Sequence, residues 1–244
     1  MEDRRDTDPM VLEAVKDGKV KALWSRSRKC GVFLALLVVV FIGTILIGTE
    51  VEKANVRKAP STLYFYETPA VCGVHSAEKQ VVTHVNASEA GKAGDLVAHC
   101  GDCGFCSNYN DIEIYNTTKE TLTKTSTNCA TKAFIGGSDA VFDCFKEDVG
   151  FTDGCNDCWT ENVMCDMKKC VFTCLKMIMT GQRNNGGDGK LNDCLLCDEK
   201  LCGPAFIECA GANRRRSGII SDIGRDDENE VCDSVNAGWR FGLE

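Results

Sequence analysis

The strongest feature of the hydrophobic pattern is a run with no periodicity. Gly31 to Thr49 reads GVFLALLVVVFIGTILIGT, nineteen residues without a charge. As a helix it would be about 28 Å long, close to the thickness of bilayer hydrocarbon. Apolar residues fall on every face, which a soluble helix rarely tolerates. The run therefore predicts one membrane-spanning helix. The rival is a cleaved signal peptide, whose apolar region is shorter and follows a brief basic start. Here the run begins only after thirty residues, and IGTEVEKA beyond it offers no Ala-x-Ala cleavage site. The expectation is an uncleaved signal anchor.

The pattern changes on both sides of this run. Before it, Val11, Leu12, Val15, Leu23 and Trp24 mark a loose apolar face, weakened by Gly18. That segment reads either as an interfacial helix or as an unstructured tail. After it, residues 50–60 are polar and read as a stalk. Ser61–Val71 (STLYFYETPAV) and Gln80–Val85 (QVVTHV) are aromatic or β-branched and predict short strands, with a loop over Asn86–Gly94.

Beyond residue 110 the period becomes helical. Asp111–Thr125 places Ile112, Tyr115 and Leu122 near one face. Ala130–Asp148 carries Phe134, Val141, Phe142 and Phe145, with Gly136-Gly137 as a potential break. Thr160–Thr180 is the clearest helix: Val163, Met167, Cys170, Val171, Cys174, Leu175 and Ile178 recur at three- and four-residue steps. Thr160 is a candidate cap at its start and Gly181 at its end. Gly181–Lys190 is rich in turn residues. Asn192 caps a helix to Leu201, and Pro204 suits the first turn of another, to about Ala212. The remainder reads as polar loop, pinned by Cys232.

The predicted fold class is thus mainly α. A single N-terminal transmembrane helix precedes a cysteine-rich, disulfide-stapled helical ectodomain with a small β portion. The domains expected are a tail (1–30), the span (31–49), a stalk (50–60) and a cysteine-rich domain (61–244).

Charge sets the orientation. The residues to Lys29 contain eight Lys/Arg and six Asp/Glu, a net +2, against −10 for the rest of the chain. Lys16, Lys19, Lys21, Arg26, Arg28 and Lys29 precede the span closely, and only Lys53, Arg57 and Lys58 follow it. The basic side stays in the cytosol, which makes a type II protein contacting the bilayer through residues 31–49. The overall charge of −8 gives no nonspecific attraction to nucleic acid.

The cysteines agree with that orientation. Cys30 sits at the cytosolic edge, a palmitoylation candidate. The other sixteen lie beyond the span: Cys72, Cys100, Cys103, Cys106, Cys129, Cys144, Cys155, Cys158, Cys165, Cys170, Cys174, Cys194, Cys197, Cys202, Cys209 and Cys232. An even set confined to one side of a membrane is what an oxidising compartment produces. The sequons at Asn86 and Asn116 lie on the same side. These features point to the endoplasmic reticulum, Golgi or plasma membrane. The mitochondrial inner membrane is the alternative, although Glu2, Asp3, Asp6 and Asp8 argue against a cleavable transit peptide.

Three chemistries compete for the cysteines. Zinc would use Cys155, Cys158, Cys194 and Cys197, or His99 with Cys100, Cys103 and Cys106 in HCGDCGFC. Oxidising surroundings disfavour both sets. A redox couple would use Cys100 and Cys103, yet such a site needs a helix starting at the first cysteine, and Gly104 is a poor helix residue. Staples fit best. Cys170 and Cys174 share one helical face and could meet a CxxC pair in parallel, either Cys155/Cys158 or Cys194/Cys197. Haem attachment is excluded, because Gly104, Trp159 and Asp198 stand where CxxCH needs histidine.

The remaining signals are weak. Asn184, Asp188, Gly189 and Leu191 fit part of a calcium loop, but Gly186 and Leu195 replace required ligands. Arg214-Arg215-Arg216 reads as solvated charge rather than a processing or anion site. Arg4-Arg5 is a faint retrieval signal. No nucleophile elbow, phosphate loop or HExxH occurs. The sequence therefore implies a non-enzymatic binding or structural module with no metal or cofactor and an unspecified protein or glycan partner. A luminal thiol–disulfide oxidoreductase using Cys100/Cys103 is the alternative.

Overall fold

The structure is a computed structural model that describes residues 9–59, 69–75, 80–185, 190–224, 232 and 235, with side chains from residue 32 onward. The chain forms two compact units, Met1–Ile47 and Gly48–Glu244. Helix takes 64% of it, beside one three-stranded sheet, so the fold is mainly α.

Helix α1 (Pro9–Lys58) supplies all the described structure of the first unit. Its stretch from Val32 is long and apolar enough to cross a membrane. Val38, Val39, Val40, Phe41 and Ile42 are all exposed, and at 100° per residue they cover the whole circumference. The Thr44 hydroxyl donates to the Val40 carbonyl (2.9 Å), which removes a polar group from the apolar surface.

In the second unit, residues 50–58, expected as a stalk, are the last turns of α1 and are built into the domain. Strands β1 (Val71–His75), β2 (Gln80–His84) and β3 (Leu96–Cys100) make an antiparallel sheet in the order β2-β1-β3. The β1–β3 register shifts between Cys72 and Gly73, which face His99 and Val97, so the extra residue of the bulge is Ala98 of β3. The expected strand over Ser61–Val71 lies mostly outside the described residues; Val71 opens β1. Helix α2 (Ala87–Ala93) occupies the expected loop, because Asn86 accepts from the Glu89 amide (2.9 Å) and Gly94 closes the last turn.

The helices follow as α3 (Tyr109–Thr117), α4 (Leu122–Asp148), α5 (Asp153–Lys169), α6 (Val171–Thr180), α7 (Asp193–Leu201) and α8 (Gly203–Ala210). Three boundaries differ from the pattern. The Asp111–Thr125 signal is split between α3 and α4. Helix α4 kinks at Gly137, whose φ of 65° is open to glycine. The Thr160–Thr180 signal is two helices, broken at Cys170 (φ −130°, ψ 7°), and Thr160 lies inside α5 instead of capping it. Gly181 ends α6, Asn192 caps α7, and Pro204 stands in the first turn of α8.

The core lies where α3, α4, α5 and α8 meet. Trp159 stacks on Phe151 (5.7 Å, 9°) and meets Phe206 edge-on (4.9 Å). Its indole donates to the Tyr115 hydroxyl (2.9 Å), which in turn donates to the Ala212 carbonyl (3.3 Å). Burial pushes the Tyr115 phenol far up, so it remains a neutral donor.

Candidate functional site

HCGDCGFC folds as the end of β3 and a tight turn. His99 is fully buried. It donates from Nδ1 to the Cys100 carbonyl (2.9 Å), and Nε2 accepts from Ser107 Oγ (2.8 Å). Ser107 Oγ itself accepts from the Gly104 amide (2.7 Å). With both nitrogens used and burial holding the imidazole near a pKa of about 4, His99 is a neutral structural relay. Gly104 is needed for close approach. A Cβ there would stand 2.5 Å from the Gly211 amide nitrogen, where the Phe105 and Cys106 amides bond to the carbonyls of Cys209 and Ala210.

The three cysteines of the motif take three different partners. The bonds are Cys72–Cys103, Cys100–Cys232 and Cys106–Cys155. Cys100 and Cys103 are therefore not a redox couple, because an exchanging pair must be able to close on itself. Their partners lie instead in β1 and in the distal chain. The zinc sets fail for the same reason. Cys158 bonds Cys209, Cys197 bonds Cys170, and Cys194 bonds Cys174. Cys129–Cys144 and Cys165–Cys202 complete eight pairs. Among the described residues, candidate ligand atoms gather at Cys129/Cys144/Asp148 and Asp166/Cys170/Cys202; the sulfurs at both are oxidised, whereas metal binding needs thiolate.

The α6–α7 corner shows how the staples cooperate. Cys170 and Cys174, one turn apart in sequence, bond Cys197 and Cys194 in antiparallel order. Val56 of α1 packs against this corner. Glu52, buried, accepts from the amides of Phe172 (3.0 Å) and Thr173 (2.7 Å) and from the Thr173 hydroxyl (2.6 Å). It caps α6 from another helix, since Cys170 offers no side-chain cap. Lys53 pairs with Asp193 at the start of α7 (2.8 Å).

Two polar groupings went unread in the sequence. The first joins β1, β2 and the start of β3. Asp95, buried, takes His75 Nδ1 on one oxygen (2.8 Å) and His84 Nε2 on the other (2.7 Å). The His75 bond, with help from His84, holds the Asp95 carboxyl below its usual range despite burial. Gly73 leaves room for the His84 ring, 2.8 Å from where its Cβ would be. Alternation along QVVTH gave no hint of this, because it puts His84 on the face of Gln80 and Val82, which are exposed.

The second grouping floors a cleft of about 170 Å³ bordered by α4, α5, α6 and α7. Phe134, Trp159, Val163, Met167, Leu175 and Ile178 make its apolar walls, with Asn162, Asp166 and Asp198 as polar lining. Asn162 donates to Asp198 (2.9 Å). Burial, then the neighbouring charge of Asp198, pushes the Asp166 carboxyl well above the carboxylate range. A hydrogen bond between Asp166 and Asp198 acts in the same direction, so the two carboxyls titrate as a pair. Asp166 Oδ1 and Asn162 Oδ1 are buried acceptors with no donor, although Asp166 as a whole is only part-buried. The spacing Asn162-x-x-x-Asp166 on one helical face was the available signal.

The triple arginine is not solvated. Arg214 and Arg216 are buried. Arg214 pairs with Asp222 (2.8 Å), Arg215 with Glu199 (3.4 Å), and Arg216 donates to the Gly211 carbonyl (3.2 Å). This segment folds back onto the α3–α4 connection, α4 and the HCGDCGFC turn, where carboxylates pair with Arg214 and Arg215 and carbonyls accept from Arg214 and Arg216. Asp188 and Gly189 of the partial calcium loop, Cys30, and Arg4-Arg5 lie outside the side chains described. Asn86 caps α2 through Oδ1, a bond that does not use Nδ2. Asn116 lies part-buried in α3.

Fold and framework define a disulfide-stapled, mainly helical domain preceded by a helix long enough to cross a membrane. The profile of a family described as "Family of unknown function (DUF8771)" matches residues 138–234, less than half of the chain. The matched segment runs from within α4 through α8 and contains both partners of four disulfides. No curated protein and no solved structure matches the chain.

Proposed function

We propose that the chain is a single-pass type II membrane protein. Residues 31–49 cross the bilayer, and the disulfide-rich domain faces the lumen of the secretory pathway or the cell exterior as a non-enzymatic binding module. One observation carries this reading. All sixteen cysteines after the apolar run are paired with one another, and none precedes Cys30. Such pairing requires an oxidising compartment, and the basic flank before the run agrees with a cytosolic N-terminus. The cleft, preformed and apolar with convergent polar groups, supports binding. The displayed domain would then recognise a protein or glycan partner through a rigid surface.

The test is topology in cells. Full-length protein with an N-terminal epitope is expected to shift in mobility on glycosidase treatment, and N86Q/N116Q protein is expected not to. Protease added to intact microsomes should remove the epitope and spare the rest. An unglycosylated chain whose residues past 50 are digested in the same microsomes would refute the reading. Protection inside mitochondria would instead place the domain in the intermembrane space and refute the secretory assignment.

A further inference from the structure

The floor of the cleft carries acceptors in excess of donors. Asp166 Oδ1 and Asn162 Oδ1 are buried and receive no protein donor, and Asp198 already accepts from Asn162. Buried orphan groups are uncommon and call for a partner. Both orphans are acceptors on residues lining one cavity, so the missing group is a donor. The guanidiniums nearby are engaged elsewhere: Arg214 with Asp222, and Arg215 with Glu199. Among the described residues, Asp166 and Asp198 of α5 and α7 thus face the cavity as a carboxyl pair.

Size and walls narrow the class. A dry apolar cavity of roughly 150 Å³ takes up benzene, so about 170 Å³ suits an aromatic ring or short alkyl chain with a small head group. Trp159, Val163, Met167 and Leu175 provide the apolar contact.

We propose that this cleft binds a small hydrophobic amine, its ring or chain against the α4–α6 wall and its ammonium on Asp166, Asp198 and Asn162. The ammonium has three donors and no acceptor, the complement of this floor. On acceptor atoms that are themselves buried, such a charge-assisted contact favours the amine over an uncharged analogue of equal shape by roughly tenfold. The inference rests on the domain being a binding module. It does not depend on which compartment the domain faces.

The experiment is calorimetric titration of the full-length protein in nanodiscs of neutral lipid, with phenethylamine against 2-phenylethanol. The wild type is expected to bind the amine saturably, one per chain, and about tenfold more tightly than the alcohol. In D166N/D198N protein, whose disulfides are first verified by intact mass, the two probes should bind alike. Leu175→Trp, which fills the cavity, should abolish saturable binding of both. The proposal is overturned by equal affinities in the wild type, by no saturable binding, by an amine preference that survives in the Asn variant, or by binding that survives Leu175→Trp. Nanodisc partitioning is common to all three proteins and cancels. The glycosidase and protease assays read the topology separately, so either claim can fail alone.

Discussion

At the residue scale, His99 shows what spacing conceals. A histidine beside three cysteines suggests coordination, yet its partners are a carbonyl and a serine hydroxyl, and only the fold brings Ser107 to it. The sign of its pH effect follows from burial. Its folded pKa of about 4 lies below the unfolded 6.5. Between those values the unfolded chain binds the proton that the native state refuses. Stability is full above pH 6.5 and drains away as pH falls toward 4, by roughly 3 kcal/mol in total. Asp166 works in the opposite sense, since its raised pKa makes its contribution largest at low pH and lost as pH rises. The effect of His99 is therefore read as a difference. Denaturant melts at pH 7 and pH 4.5 should show a loss in the wild type that is much smaller in His99→Gln. Equal losses in the two proteins would mean that His99 is not buried neutral. Arg214 to Arg216 teach a similar lesson: three adjacent charges look solvated until the partners Asp222, Glu199 and the Gly211 carbonyl fold back onto them.

At the element scale, periodicity located most helices but not their breaks. Thr160–Thr180 has a continuous helical pattern, and nothing local in it demands an interruption at Cys170. The break is a tertiary effect. Cys170 and Cys174 are drawn to α7, and Glu52, more than a hundred residues away in sequence, supplies the cap that lets α6 start afresh. Helix α2 was the reverse case. Its small residues gave no periodicity, but Asn86 and Gly94 carried the terminal signals. The pairing of Cys170/Cys174 with Cys194/Cys197 was one of two options that i, i+4 spacing left open, and geometry alone selects between them. The corner is stabilised chiefly by restriction of the unfolded chain across 27 residues, worth about 3 kcal/mol. Replacing Cys170 and Cys197 together with alanine should lower unfolding free energy by about that amount in denaturant melts while α6 stays helical. No change in stability would show that the bond does not constrain the domain.

At the scale of the whole molecule, the long apolar helix was the most legible feature, because it depends on composition alone. An uncharged run, a basic flank and a one-sided distribution of cysteines need no tertiary knowledge. The candidate site was far less legible. Asp166 and Asp198 lie on different helices, and the cleft exists only once α4 to α7 are packed. His75, His84 and Asp95 likewise converge through strand register, with no sequence motif. What unites these layers is the oxidised framework, which ties β1, the HCGDCGFC turn, Cys232 and α5–α8 together and leaves unpaired none of the cysteines after residue 50 that zinc or exchange chemistry would need. The most direct test is mass spectrometry of protein purified under native, alkylating conditions, followed by mapping of unreduced peptides. The account predicts a mass lower than that of the reduced chain by two hydrogens for each of eight bonds. Cys72–Cys103, Cys100–Cys232 and Cys106–Cys155 should be among the linked peptides, with no alkylated cysteine after residue 50. Alkylated thiols with bound zinc, or a peptide closed between Cys100 and Cys103, would contradict it.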